Sequence, residues 1–244
     1  MSTAYLTALL YAPMASFGGL AVGERRVSER YPTRSQLIGL LGAALGVDRA
    51  DDPAQTRLRD GYTFALQVFA PGRPGTDYHT AQMPSRGKLR YATRRDELAV
   101  KLDLNTVLTS RDYRFDFCAG LAVSAAEGAP YTLEQVAEAL RAPHYTLSLG
   151  RKSCVLGVPL MPEIAEAQSA ETALATLWRR IQDVPAARAV VHSLCAKPGE
   201  IVLERGQFQG GARQADCVFV RDQPLSRRRW QFGLREAFII EVGS

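Results

Sequence analysis

Two apolar runs of strand character, GYTFALQVFA from Gly61 and FDFCAGLAVSA from Phe115, flank a long polar, basic excursion, PGRPGTDYHTAQMPSRGKLRYATRRDELAVKLDLNTVLTSRDYR. A structureless loop of that length does not belong inside a compact domain, so the runs and the stretch between them constrain one another. Proline and glycine gather at its near end and β-branched residues at its far end, the composition of an extended, hairpin-like arm that leaves a sheet and returns to it. The fold must therefore hold the two runs as core strands and let the arm project.

The remaining segments fit around that pair. AYLTALLYA (4–12) has the length and apolar character of a buried first strand, followed by the Pro/Gly-rich connection PMASFGG. RYPTRSQLIGLLGAALG reads as a helix: Leu37, Leu40, Leu41, Ala44 and Leu45 share one face, Thr33 is the N-cap and Gly46 ends it. Gly39 and Gly42 fall near that face, each costing about 1 kcal/mol against Ala; close packing on a sheet would explain them. ADDPAQTRLRD is a short surface helix, and PYTLEQVAEALRAP an amphipathic one capped by Thr132 and stopped by Pro143. HYTLSLGRKSCVLGVPL reads as strand, glycine turn, strand. The order strand, helix, strand, strand, helix, strand is the split βαβ pattern, which predicts an α+β, ferredoxin-like or RNA-recognition-type domain over residues 1–160. Residues 161–244 then form a smaller β-rich part, with a helix at SAETALATLWRRI and strands at ARAVVHSL, EIVLE, DCVFVRD and AFIIEV.

Composition narrows the class. A chain of 244 residues with 46% hydrophobic content can build a proper core. No Lys or Arg precedes Glu24, so the positive region of a signal peptide is missing, and no apolar run reaches the length of a membrane span; the expected location is cytoplasmic. Four scattered cysteines and three scattered histidines offer no metal-ligand spacing, and no cofactor motif stands out. Net charge is only +5, but Arg73 to Arg114 holds nine basic residues against five acidic ones. Such a concentrated positive field favours a polyanion, which makes nucleic acid a reasonable partner.

Several places could bind or react. Arg34 opens its helix with a cation where the dipole favours an anion, so it is solvated, paired with Glu24 or Glu29, or facing a phosphate. TDYHT sets Tyr78 beside His79 at the base of the arm, a phenol and an imidazole that could act as acid and base in RNA cleavage. Consecutive strand residues point to opposite faces, however, so both meeting one phosphate would need a turn. In SLGRKSC, Gly150 would let backbone approach a ligand while Arg151, Lys152 and Ser153 supply phosphate donors; the glycine spacing is not that of a P-loop. SRRRW (226–230) is a basic stretch that suits either nucleic acid or a solvated strand edge. No paired carboxylates, Ser-His-Asp or Cys-His arrangement can be singled out, so binding outranks catalysis.

Four of these pieces in register, PTRSQLIGLLGAALG, DYHT, TSRDYRFDFCAGLAV and HYTLSLGRKSCVLGVPL, resemble the CRISPR-associated subunits that cap the 5′ handle of the guide RNA in type I-E Cascade. The resemblance covers residues 1 to about 160. It implies a repeat-associated protein of ferredoxin-like, RNA-recognition-type fold with a thumb from about Asp77 to Tyr113. It also implies that guide RNA, the backbone subunits and the large subunit are its partners, target DNA being met only through the complex. On this resemblance Arg34, Ser35, His79, Arg111, Gly150, Arg151, Lys152 and Ser153 become candidate RNA contacts, with guide-RNA phosphate as the anion for Arg34. Met14, Ser16 and Phe17, in the loop after the first strand, become candidates for base contact. Ser110 departs from the pattern, since family members carry a tryptophan before the arginine that closes the thumb. Subunits of another subtype cleave precursor guide RNA with a tyrosine, a lysine and a histidine, which leaves Tyr78, His79 and Lys88 as the catalytic alternative.

Overall fold

β1 (Thr3–Ala15) carries the apolar run AYLTALLYA and continues past Pro13. Leu6, Ala8 and Leu10 face one core while Tyr5 and Leu9 face another. A strand covered on both faces reads as continuously apolar instead of alternating. A computed structural model describes residues 2–19, 21, 23–85, 90–99, 104–207, 215–226, 229 and 231–242. After β1 come β2 (Arg25–Arg26), α1 (Arg34–Leu45), α2 (Asp52–Gly61), β3 (Tyr62–Pro84), α3 (Arg94–Ala99), β4 (Leu104–Ala125) and α4 (Leu133–Arg141). β5 (Glu163–Ala167), α5 (Ala170–Asp183), α6 (Pro185–Ser193), β6 (Ile201–Glu204), β7 (Asp216–Ser226) and β8 (Gln231–Ile240) complete the described elements.

One large, almost wholly antiparallel sheet runs through them in the order β5-β1-β4-β3-β6-β8-β7, with β2 pairing in parallel with β4. α1, α2 and α4 bury their apolar stripes on one face and α5 with α6 on the other, a mixed α/β arrangement with six helices among the described residues. Gly120 of β4 shows how closely the second layer approaches. A Cβ there would lie 2.9 Å from Phe69 and 3.0 Å from Leu177 of α5, so only glycine lets the helix settle on the sheet. None of the described helices is long and apolar enough to cross a membrane.

The arm is a direct continuation of the core strands. β3 and β4 pair from Tyr62 opposite Ala125 out to Pro84 opposite Leu104, with one register shift between Val68 and Ala70. α3 sits at the far end, where Arg94 donates to the backbone carbonyl of Gln82.

Beyond residue 160, β5 pairs with β1, β6 with β3, and α5 covers the second face of the same sheet. Three expectations need correction. ARAVVHSL is not a strand but helix α6, started by Pro185, with Ala187 and Val191 four apart on its buried side. HYTLSLGRKSCVLGVPL holds only an isolated bridge between Ser148 and Val155. Gly42 packs against Leu58 of α2 instead of a sheet, a Cβ there lying 3.4 Å from its methyl group, while Gly39 faces an open groove.

Candidate nucleic-acid interface

The anion that Arg34 meets is inside the protein. Its side chain is 7% exposed and its Nη1 pairs with Glu204 of β6, while Nη2 donates to the carbonyls of Arg59 (2.6 Å) and Tyr62 (3.0 Å). The Arg34 backbone N–H, one of the orphan donors of the first helical turn, donates to Asp222 Oδ2 of β7 at 2.7 Å. Arg235 of β8 holds the same carboxylate with two bonds, of 2.6 and 2.9 Å. Burial pushes the Glu204 carboxyl above its ordinary value, and the Arg34 and Arg235 guanidiniums pull against that shift. Two carboxylates and two guanidiniums thus neutralise one another where α1 meets the C-terminal strands. Arg34 is neither a surface phosphate ligand nor a partner of Glu24 or Glu29.

Two proposed base contacts are also interior. Phe17 is fully buried, its ring edge-on to Phe117 at 4.6 Å. Ser16, 2% exposed, donates from Oγ to the Asp112 carbonyl. Met14 lies within β1, half-buried opposite Phe115, not in a loop.

The Gly150 turn is held against the root of the arm. Gly150 has φ 99°, and a Cβ there would lie 1.8 Å from the Ser16 carbonyl oxygen, so backbone meets backbone at this point. Arg151 Nη1 donates to the Asp112 carbonyl (3.1 Å) and Nη2 to the Arg26 carbonyl (3.3 Å), with Cζ 4.4 Å above the Tyr113 ring. Lys152 and Ser153 are exposed beyond it.

Between this turn, the outer face of α1 and the start of the β7–β8 hairpin runs a groove of about 1960 Å³. That exceeds the roughly 300–1,000 Å³ of a small-molecule pocket and suits an extended polymer. Gly39, Gly42 and Ala43 of α1 keep it open, and Thr33, Ser35 and Gln36 line it at the start of the helix. Arg26, Arg49, Lys152 and Arg221 contribute cations against Glu29 and Asp48, while Arg30 pairs with Glu200 at 3.1 Å and Asp222 is already bound by Arg235. Tyr31, Tyr145 and Phe232 add rings on which bases could stack. The groove's Arg221 and Phe232 were beyond sequence reasoning because no motif marks them and β7 and β8 reach α1 only through the tertiary fold.

On the arm, Tyr78 is 64% exposed and His79 Nε2 lies 2.8 Å from Asp77 Oδ2. Tyr78 and His79 are consecutive residues of an unbroken ladder, so they occupy opposite faces and do not converge on one phosphate. Arg111 pairs with Asp77 in that ladder and with Arg26 through β2. Ser110 donates its N–H to the Glu24 carbonyl at 3.1 Å. Lys88, and Arg227, Arg228 and Trp230 of SRRRW, lie outside the described residues. Among the described residues no group of His, Cys, Asp or Glu could hold a metal ion.

A family model described as CRISPR-associated protein (Cas_Cas5) matches residues 5–238. The chain belongs to the Cas5 family. Over 178 residues it is 31% identical to the CRISPR system Cascade subunit CasD of Escherichia coli (strain K12), covering 70% of this chain and 75% of that protein. A chain of a CRISPR RNA-guided surveillance complex superimposes with a TM-score of 0.63 at 23% identity, covering 98% of this chain and 90% of that one. A structure described as a crystal structure of Cas protein gives 0.60 at 22%, covering 97% and 94%. At these identities the two structures speak for the fold alone. The Cas5 match extends through β6, β7 and β8, where the motifs of the sequence run out.

Proposed function

We propose that this Cas5 chain is a non-catalytic subunit of a type I-E CRISPR surveillance complex, Cascade, in which it binds and caps the 5′ handle of the guide RNA. The observation that carries the reading is the cationic groove along α1, which opens beside the Gly150 turn and the root of the β3–β4 arm. A single-stranded handle is held by phosphate contacts and base stacking, whereas guide pairing reads the target DNA. The 31% identity to a Cascade subunit supports the assignment to such a complex, with its backbone and large subunits as neighbours in a cytoplasmic ribonucleoprotein.

The order β5-β1-β4-β3, with α1 and α4 on one face, supports a ferredoxin-like, RNA-recognition-type unit whose thumb is the arm from about residue 77 to 113. Lys152, Ser153, Ser35 and Gly150 beside the groove, and Arg111 and His79 on the arm, are the RNA contacts of this reading; Met14 remains a base contact at the arm root.

Incubation of the purified chain with end-labelled cognate repeat RNA, without metal, tests it. The expected result is binding without cleavage, and Lys152→Ala should reduce the salt slope of binding by about 0.7, the value for one single-strand phosphate. A discrete metal-independent cut would replace this reading with the endoribonuclease. Unaltered slope would remove Lys152 from the interface.

A further inference from the structure

We infer that Arg151 is a positioning residue: it pins the Gly150 turn to the root of the arm, so that the turn and the arm face the RNA in fixed register, and it does not itself hold a phosphate. The inference rests on the RNA-binding reading above for its purpose, but its geometry stands on the contacts of this one side chain.

Three chain segments that are distant in sequence meet at Arg151. Its Nη1 donates to the carbonyl of Asp112 in β4, and its Nη2 to the carbonyl of Arg26 in β2. The flat face of the guanidinium lies 4.4 Å from the ring of Tyr113, which is 6% exposed. One hydrogen on each terminal nitrogen and one face of the guanidinium are therefore committed to protein, which fixes the group against β4 and β2. The acceptors are themselves at a junction. The Asp112 carbonyl also receives Ser16 Oγ at 3.1 Å, and the Asp112 carboxylate receives Arg25 at 3.2 Å and Thr76 Oγ1 at 2.8 Å. Gly150, one residue before, leaves no room for a Cβ against the Ser16 carbonyl. The turn is thus fixed on one side by backbone contact and on the other by the Arg151 fork. Lys152 next to it is exposed and without an ion-pair partner among the described residues, which divides the work: Arg151 holds the turn and Lys152 meets the ligand.

A planar fork that bridges two carbonyls and stacks on a ring is specific to arginine; a lysine ammonium keeps the charge but can reproduce neither the bridge nor the stack. That difference supplies the test. In the full chain, with exposed Cys195 and Cys217 replaced by Ser, spin labels at Asn105→Cys on the arm and Val155→Cys, exposed in the turn, report the arm-to-turn distance without RNA. Arg151→Lys and Arg151→Ala should both broaden that distance distribution, and both should weaken binding of the 5′-handle RNA by about tenfold, because the turn then has to be ordered on binding. Wild-type affinity in Arg151→Lys, with a salt slope lowered by about 0.7 in Arg151→Ala only, would make Arg151 a phosphate ligand and overturn the inference. So would distance distributions unchanged in both variants. If the wild-type chain does not bind the handle RNA at all, the RNA reading fails by itself, and the distance distributions still decide whether Arg151 is the pin.

Discussion

The backbone N–H of Arg34 and the guanidinium of the same residue end on two different carboxylates, Asp222 and Glu204. A carboxylate at a helix N-terminus suits the dipole, so Asp222 corrects the local field while Glu204 neutralises the side chain. With side-chain exposures of 7% and 12%, neither charge of the Arg34–Glu204 pair can fall back on water. Glu204→Leu should therefore cost about 3–5 kcal/mol, because it strands a buried cation, whereas Arg34→Met with Glu204→Leu should cost much less than those two single changes added together. Chemical denaturation of both single variants and the double variant checks this, and additive losses would show the two residues to be uncoupled. The need for an anion was legible in the sequence, since a cation opening a buried helix is locally unfavourable. Its identity was not: Glu204 and Asp222 stand 170 and 188 residues away, and nothing local to Arg34 points to them. Phe17 misled for a related reason. An aromatic after a Pro-containing strand end looks available for stacking, but its position against Phe117 is decided by a strand from the middle of the chain.

Elements with a strong period or cap were readable, and those decided by context were not. α1, α4 and α5 follow their apolar spacing and caps, and β3 and β4 follow their apolar runs. α6 was missed because Val190 and Val191 carry strand propensity, and only the burial of Ala187 with Val191 reveals the helical face. The joint between β3 and α4 depends on Tyr62, which is 0% exposed, donates its hydroxyl to the Tyr131 carbonyl at 2.6 Å and accepts the Tyr131 N–H at 3.1 Å. Burial pushes that phenol up to about 12. Below pH ~10 the folded and unfolded chains both keep the proton; between roughly 10 and 12 the unfolded chain releases it first, so stability falls with rising pH in that window. Denaturation at a series of pH values should show this alkaline loss reduced in Tyr62→Phe by on the order of 2 kcal/mol. An identical alkaline profile in the variant would remove Tyr62 as its source.

A single sheet with a core on each face makes the molecule one cooperative body. β1, β3 and β4 contribute side chains to both cores, so neither can melt while the other keeps its strands. Calorimetric unfolding should accordingly give one transition whose calorimetric and van't Hoff enthalpies agree, where an independent C-terminal part would give two. The arm belongs to the same body because β3 and β4 enter it without interruption, although its exposed far half contributes little to either core. The charge cluster between α1 and the C-terminal strands sets the order in which this body can be completed. Arg34 leaves the ribosome long before Glu204, Asp222 and Arg235 are made, so the first helix must wait, with its charge still in water, until nearly the whole chain has been synthesised. Shortening the wait, by faster translation of the codons between Arg34 and Arg235 or by supplying the late strands in advance, would act on the yield of folded protein while leaving every contact of the finished molecule unchanged.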